Sequence, residues 1–169
     1  MHHAEENFDV PLMQRLIDRG ATFVATGGYS GYAGIVPGTV GSLVGLLLYL
    51  PATASPISWR IAAVVAGFFL GVYSSSRVAA LWKIKDPHAI VIDEVVGMLM
   101  TLALLPLNGV GVLVGFLVFR VFDVVKPWPA ARFEALHGGL GVMADDAMAG
   151  IYGNLVMRGL LLLAPSWFS

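Results

Sequence analysis

The sequence predicts an all-α bundle that is at home in lipid and gathers its polar motifs at one end. Three observations carry this expectation. First, 57% of the 169 residues are apolar and only 12% are charged, with a mean hydropathy of +0.80; a soluble domain carries about a quarter charged residues. Second, the apolar residues form five stretches punctuated by Pro51, Pro56, Pro87, Pro106, Pro127 and Pro129, where helices stop or start. Third, no strand-type alternation competes over a comparable length.

The elements follow in order. The opening MHHAEENFD is polar and lacks the basic and apolar regions of a cleaved leader. His2 and His3 are not expected to make a metal site there. PLMQRLIDR, 11–19, has apolar positions at helical spacing with Arg15, Asp18 and Arg19 opposite. It reads as a short amphipathic helix, either at an interface or packed on the bundle. Gly28, Gly31, Gly34, Gly38 and Gly41 then make continuous helix costly, so this segment is expected to be a loop or a broken, re-entrant piece. The five apolar stretches are 40–50, 59–82, 90–105, 109–125 and 145–164. Only the second and fifth approach the roughly 20 residues needed to cross a bilayer. The first and third are short enough to dip into the membrane or to form an interior helical core.

Lys and Arg placement orients the bundle. With a cytoplasmic N-terminus and alternating stretches, Arg15, Arg19, Arg77, Lys83, Lys85, Arg120, Lys126 and Arg132 fall on or near one side. Only Arg60 and Arg158 fall elsewhere, and the opposite loops PATASPIS and PLNG carry no charge. The same threading brings the Gly-rich loop, DPHAIVIDE, FRVFDVVKP and GVMADD to one face.

Those motifs hold five carboxylates: Asp93, Glu94, Asp123, Asp145 and Asp146. Crowded acids raise one another's pKa unless cations compensate, and Lys126 and Arg120 can offset two. The remainder is a hard-cation composition, and oxygen ligands without clustered histidines suit Mg²⁺ better than Zn²⁺. Mg²⁺ together with Lys, Arg and a Gly/Thr/Ser loop is a phosphoryl-handling set. Simpler roles compete for each residue alone. Any one aspartate can cap a helix, Arg120–Asp123 can be a structural pair, and Thr39 and Ser42 can merely start a helix. Glu134, His88 and His137 read as surface residues. Caps do not explain five acids at one end of so apolar a chain, where embedded ionisable groups are costly.

Exclusions narrow the class. A formal charge of -1 argues against nucleic acid. The absence of cysteine removes disulfides, thiolate metal sites and cysteine phosphatase loops. An aspartyl-phosphate DxDx(T/V) motif, the membrane acid phosphatase pattern, the CDP-alcohol phosphotransferase signature and a P-loop lysine are all missing.

VPGTVGSL (36–43), IVIDEVVG (90–97), FRVFDVVKPWP (119–129) and GGLGVMADDAMAG (138–150) resemble, in this order, the blocks of the phosphatidylglycerophosphatase A family, over roughly residues 22–158. The resemblance implies a Mg²⁺-dependent phosphatase that converts phosphatidylglycerophosphate to phosphatidylglycerol in the bacterial inner membrane. It also implies a compact all-α bundle of about six helices. Carried onto this chain, the blocks point to Asp93 and Glu94, Asp123 and Lys126, Asp145 and Asp146, and Thr39 and Ser42. Near Glu134 the chain departs from the pattern, where an aspartate is expected.

The resulting expectation is one domain over 1–169, with 1–10 a flexible end and several helices membrane-embedded. The site would face the cytoplasm, with Glu94, Asp123, Asp145 and Asp146 holding metal. Asp93 or Glu94 would activate water and Asp146 would be indispensable to turnover. Lys126, Arg120, Thr39 and Ser42 would bind the phosphate. Arg77, Lys83 and Lys85 either attract anionic head groups or simply follow the positive-inside rule. The alternative is a small cation-coupled transporter using the acids as an ion site, which asks for internal repeats and midplane acids.

Overall fold

The structure is a computed structural model that describes residues 11–84, 87–133 and 135–168; the expectation for residues 1–10 lies outside them. The described chain is helical throughout. α1 spans Leu12–Ala25 and a 3-10 turn Ser30–Tyr32 follows. Then come α2 (Pro37–Ala52), α3 (Ile57–Trp82), α4 (Ile92–Leu102), α5 (Gly109–Val125), α6 (Ala130–Phe133), α7 (Gly139–Leu163) and α8 (Pro165–Phe168). Setting aside the single-turn α6 and α8, six helices are described, as the sequence predicts.

α4 is the hub, packing on α7, α2, α3 and α5. Its apolar residues Val95, Val96, Met98 and Leu102 are buried. Glycine makes the closest crossing possible. A Cβ on Gly150 of α7 would sit 2.6 Å from Gly97 O of α4, and one on Gly97 would meet Asp146 O at 2.8 Å. The two backbones touch because neither side carries a side chain there.

α4 stops after 11 residues, about 16 Å of helix, so its last carbonyls end inside the bundle. A single side chain from α7 serves them. Asn154 Nδ2 donates to Met100 O at 3.1 Å, Thr101 O at 3.0 Å and Ala103 O at 2.9 Å. Arg158 Nε donates to Asn154 Oδ1 at 2.8 Å and holds the amide in that orientation. Arg158, one of the two arginines that fall on the far side in the positive-inside count, thus has a structural partner.

Two boundaries differ from the sequence expectation. α2 starts at Pro37 rather than residue 40, because a proline at the first helical position needs no N–H partner. α7 starts at Gly139, so Asp145 and Asp146 lie about two turns into it rather than opening it. Gly138, Gly139 and Gly141 read in the sequence as a flexible approach to α7, but Gly139 is a packing contact. A Cβ on Gly139 would lie 2.1 Å from Val72 O, so the glycine lets α7 rest directly on the α3 backbone.

The outside of the bundle is apolar. Leu47 on α2, Phe69 on α3 and Leu117 and Val124 on α5 are all more than half exposed. Among the described residues, α3 alone is long and apolar enough to cross a membrane. Its exposed Trp59 and its C-terminal Trp82 lie 23 residues apart, about 35 Å along the axis.

Candidate active site

The odd-even threading of helices brings the N-termini of α2, α4 and α7 and the C-terminus of α5 to one end. There they enclose a cavity of about 630 Å³. Five carboxylates (Asp93, Glu94, Asp123, Asp145 and Asp146) and two cations (Arg120 and Lys126) line it. The sequence places these seven at one end, and the structure puts all seven around one space.

Within it the acids divide. Asp93 and Glu94 occupy the first turn of α4, and the glycine crossing presses α7 close enough for Asp146 to join them. One carboxylate oxygen from each of the three lies within 4.8 Å of the others. Asp93 Oδ1, Glu94 Oε2 and Asp146 Oδ2 are buried without a hydrogen-bond partner. Such atoms are costly unless something unseen satisfies them. Asp145 turns away from this trio, accepting from Lys126 Nζ at 2.6 Å and from the Asp146 N–H at 3.0 Å. Asp123 accepts from Arg120 one turn earlier on α5. Lys126 therefore neutralises Asp145, and Asp146 sits with Asp93 and Glu94 instead.

α2 forms the third wall. Arg120 Nη1 donates to Ser42 Oγ at 3.3 Å, and Ser42 Oγ donates to Gly38 O at 2.9 Å. Ser42 is wholly buried, so its hydroxyl orients the arginine behind the cavity. Thr39 is half-buried and does not line the cavity, whereas Pro37 and Gly38 do. Gly38 is pressed against the acids: a Cβ there would be 2.3 Å from Glu94 Oε1.

Burial pushes the Asp93 carboxyl well above the ordinary carboxylate range. The charges of Glu94 and Asp146 and a hydrogen bond to Glu94 add to the shift. Burial also raises Glu94, while its hydrogen bond with Asp93 and the charge of Arg120 pull it back.

The expected surface residues separate. His88 is exposed but forms part of the cavity wall, a placement the sequence reading misses. Its position five residues before Asp93, just after Pro87, is the signal that could have found it. His137 is exposed and does not line the cavity. Ala131, Ala135 and Leu136 also line the cavity; nothing in their residue types marks them beforehand. Arg77 pairs with Asp18 of α1 at 2.6 Å. Glu134 and Lys85 lie outside the described residues.

Comparison with known proteins places the same motifs in a family. The family model for phosphatidylglycerophosphatase A matches residues 23–161. An Escherichia coli protein named phosphatidylglycerophosphatase A is 40% identical over 130 residues, covering 76% of this chain and 76% of that protein. A Haemophilus influenzae protein of the same name is 37% identical over 138 residues, covering 79% and 84% respectively. A Bacteroides thetaiotaomicron protein with the provisional name phosphatidylinositol-3-phosphatase is 35% identical over 144 residues, covering 79% and 89%. No solved structure matches the chain. All four motif blocks fall inside the matched residues, and they build this one cavity. The chain is a phosphatase and belongs to the phosphatidylglycerophosphatase A family.

Proposed function

We propose that the protein is a Mg²⁺-dependent phosphomonoesterase that hydrolyses phosphatidylglycerophosphate to phosphatidylglycerol and phosphate, in the bacterial inner membrane and from its cytoplasmic side. The observation that carries this reading is the trio of unpartnered buried oxygens on Asp93, Glu94 and Asp146, set beside Lys126 and Arg120. An all-oxygen donor set with no cysteine in the chain suits magnesium. Asp93, Glu94 and Asp146 would hold it, while Asp123 and Asp145 line the same cavity paired with Arg120 and Lys126. When bound, magnesium supplies positive charge for the phosphoryl oxygens and makes a bound water more acidic.

The chain's own residues do the rest. Lys126 and Arg120 bind the non-bridging phosphoryl oxygens, and Ser42 keeps the guanidinium aimed at them. Water attacks phosphorus and the bond from phosphorus to the glycerol oxygen breaks. A carboxylate of the Asp93–Glu94 pair takes the proton from the attacking water and passes it to the leaving glycerol oxygen. The products are a free hydroxyl on the lipid and inorganic phosphate.

The apolar exterior and α3, with tryptophan near both ends, support a bilayer setting. The cationic residues at the cavity end support a cytoplasmic orientation. Acids gathered at helix ends, in a chain of phosphatase family, leave the transporter alternative without support. The named Bacteroides relative favours one second reading, a phosphatidylinositol phosphate as substrate. Phosphate release from the detergent-solubilised chain, with each lipid in turn, separates the two. Release from phosphatidylglycerophosphate that EDTA stops and Mg²⁺ restores is expected, with Asp146→Asn folded but inactive. EDTA-insensitive release, or full turnover by Asp146→Asn, would contradict the proposal.

A further inference from the structure

α1 carries its apolar stripe on the wrong face for a helix packed on a core. Its contact with the bundle is narrow: Ala21 and Ala25 are buried against Val78 and Ile90, and Asp18 pairs with Arg77 of α3. The opposite face holds the larger side chains. Leu12, Leu16 and Phe23 fall on one stripe at i, i+4 and i+11, with Met13 and Ile17 beside it. Leu12 is 73% exposed, Met13 68%, and Leu16 and Phe23 52% each. The sole acid of α1, Asp18, is turned inward to Arg77, and Arg15 and Arg19 border the exposed stripe. Fourteen residues make about 21 Å of helix, too short for a hydrocarbon core of about 30 Å.

A second, independent observation gives the depth of this helix. An aromatic chain runs from the stripe to the end of α3. Phe23 meets Tyr29 edge-on with centroids 5.4 Å apart, Tyr29 stacks on Tyr32 at 6.1 Å, and Tyr32 contacts Trp82 at 6.3 Å. Tyr29 and Tyr32 are both more than half exposed. Tyrosine and tryptophan favour the boundary between head groups and acyl chains, and Trp82 ends the helix fit to span.

We infer that α1 is an in-plane lipid anchor: its Leu12–Leu16–Phe23 stripe lies in the acyl boundary of an anionic leaflet, with arginines at head-group level. The anchor is tied to the cavity. The Val91 N–H donates to Ala25 O at 2.9 Å, joining the end of α1 to the residue that precedes α4 and its Asp93–Glu94 pair. The cavity mouth is thereby held at the depth where a lipid phosphate lies. This inference shares the bilayer setting of the proposed function and none of its chemistry.

The chain contains no cysteine, so single cysteines at Leu12 and Leu16 (L12C, L16C) accept a nitroxide label at one position each. Both side chains are exposed, and labelling them displaces no core packing. The labelled full-length protein is placed in vesicles of phosphatidylethanolamine and phosphatidylglycerol, and power saturation is measured with oxygen and with a water-soluble nickel chelate. Both labels are expected to be accessible to oxygen and shielded from nickel, at about 5–10 Å below the phosphates. Labels as open to nickel as a free nitroxide in water would overturn the inference. So would dipolar broadening between labels, which would mean that a second copy of the chain covers the stripe. Neither readout depends on turnover, so the anchor and the phosphatase reading fail separately.

Discussion

Replacing Gly38 by alanine tests whether Glu94 works where the structure places it. The new Cβ would lie 2.3 Å from Glu94 Oε1 and 3.2 Å from its Cδ, with Arg120 Nη1 at 3.3 Å. An ordinary close carbon–oxygen contact is about 3.3 Å, so the carboxylate has to retreat by roughly 1 Å. The atoms that move belong to a side chain, and alanine is the better helix former by about 1 kcal/mol. Stability therefore holds or rises slightly. Activity does not, because a misplacement of about 1 Å costs on the order of 10²-fold in rate, or about 2.7 kcal/mol of barrier. The assay is kcat for phosphate release from phosphatidylglycerophosphate at saturating Mg²⁺, beside a thermal melt in the same detergent. Gly34→Ala is the control, since nothing lies within 4 Å of a Cβ there, and it should match the wild type in both. Wild-type kcat in Gly38→Ala would remove Glu94 from the chemistry. A large fall in melting temperature would show that α2 itself had moved, and would refute the steric reasoning equally.

Two further outcomes follow from the buried polar groups. Asn154→Leu leaves Met100 O, Thr101 O and Ala103 O without the amide that serves them. It should destabilise the protein by about 2–4 kcal/mol in reversible unfolding from mixed micelles, while the folded fraction keeps its kcat; unchanged stability would show that water or the chain itself caps α4. The raised Asp93 carboxyl binds its proton more tightly folded than unfolded. In EDTA, stability should therefore fall as pH rises from about 4 towards the folded-state value, and level off above it. Saturating Mg²⁺ should flatten that slope by favouring the charged form, and a melt that is pH-independent in EDTA would contradict the burial of Asp93.

Much of this was legible along the chain because it depends on local composition. The apolar stretches and prolines mark α2, α3, α5 and most of α7, since a helix needs only an apolar periodicity and somewhere to stop. The lysines and arginines orient the threading, and the threading alone brings DPHAIVIDE, FRVFDVVKP and GVMADD to one end. The five acids and two cations of the cavity were therefore readable before any coordinate.

Their pairing was not, because it depends on distances between helices that are remote in sequence. Adjacent Asp145 and Asp146 look like a doublet, yet one meets Lys126 and the other meets Asp93 and Glu94. That split arises because Gly97 and Gly150 let α4 and α7 touch at backbone distance. Gly139 reads as a loose lead-in until Val72 O is found 2.1 Å from the Cβ it lacks. His88 looks like a loop residue until the cavity closes beside it, and α1 looks like an ordinary amphipathic helix until its apolar face proves to point outward. Sequence by itself determined which residue types and how many would gather at the cavity end, because hydropathy and charge set helix limits and direction. Only the tertiary structure decided which acid faces which cation and which oxygens stay unpartnered, because that is set by glycine-permitted contacts of a few ångströms between chain-distant helices.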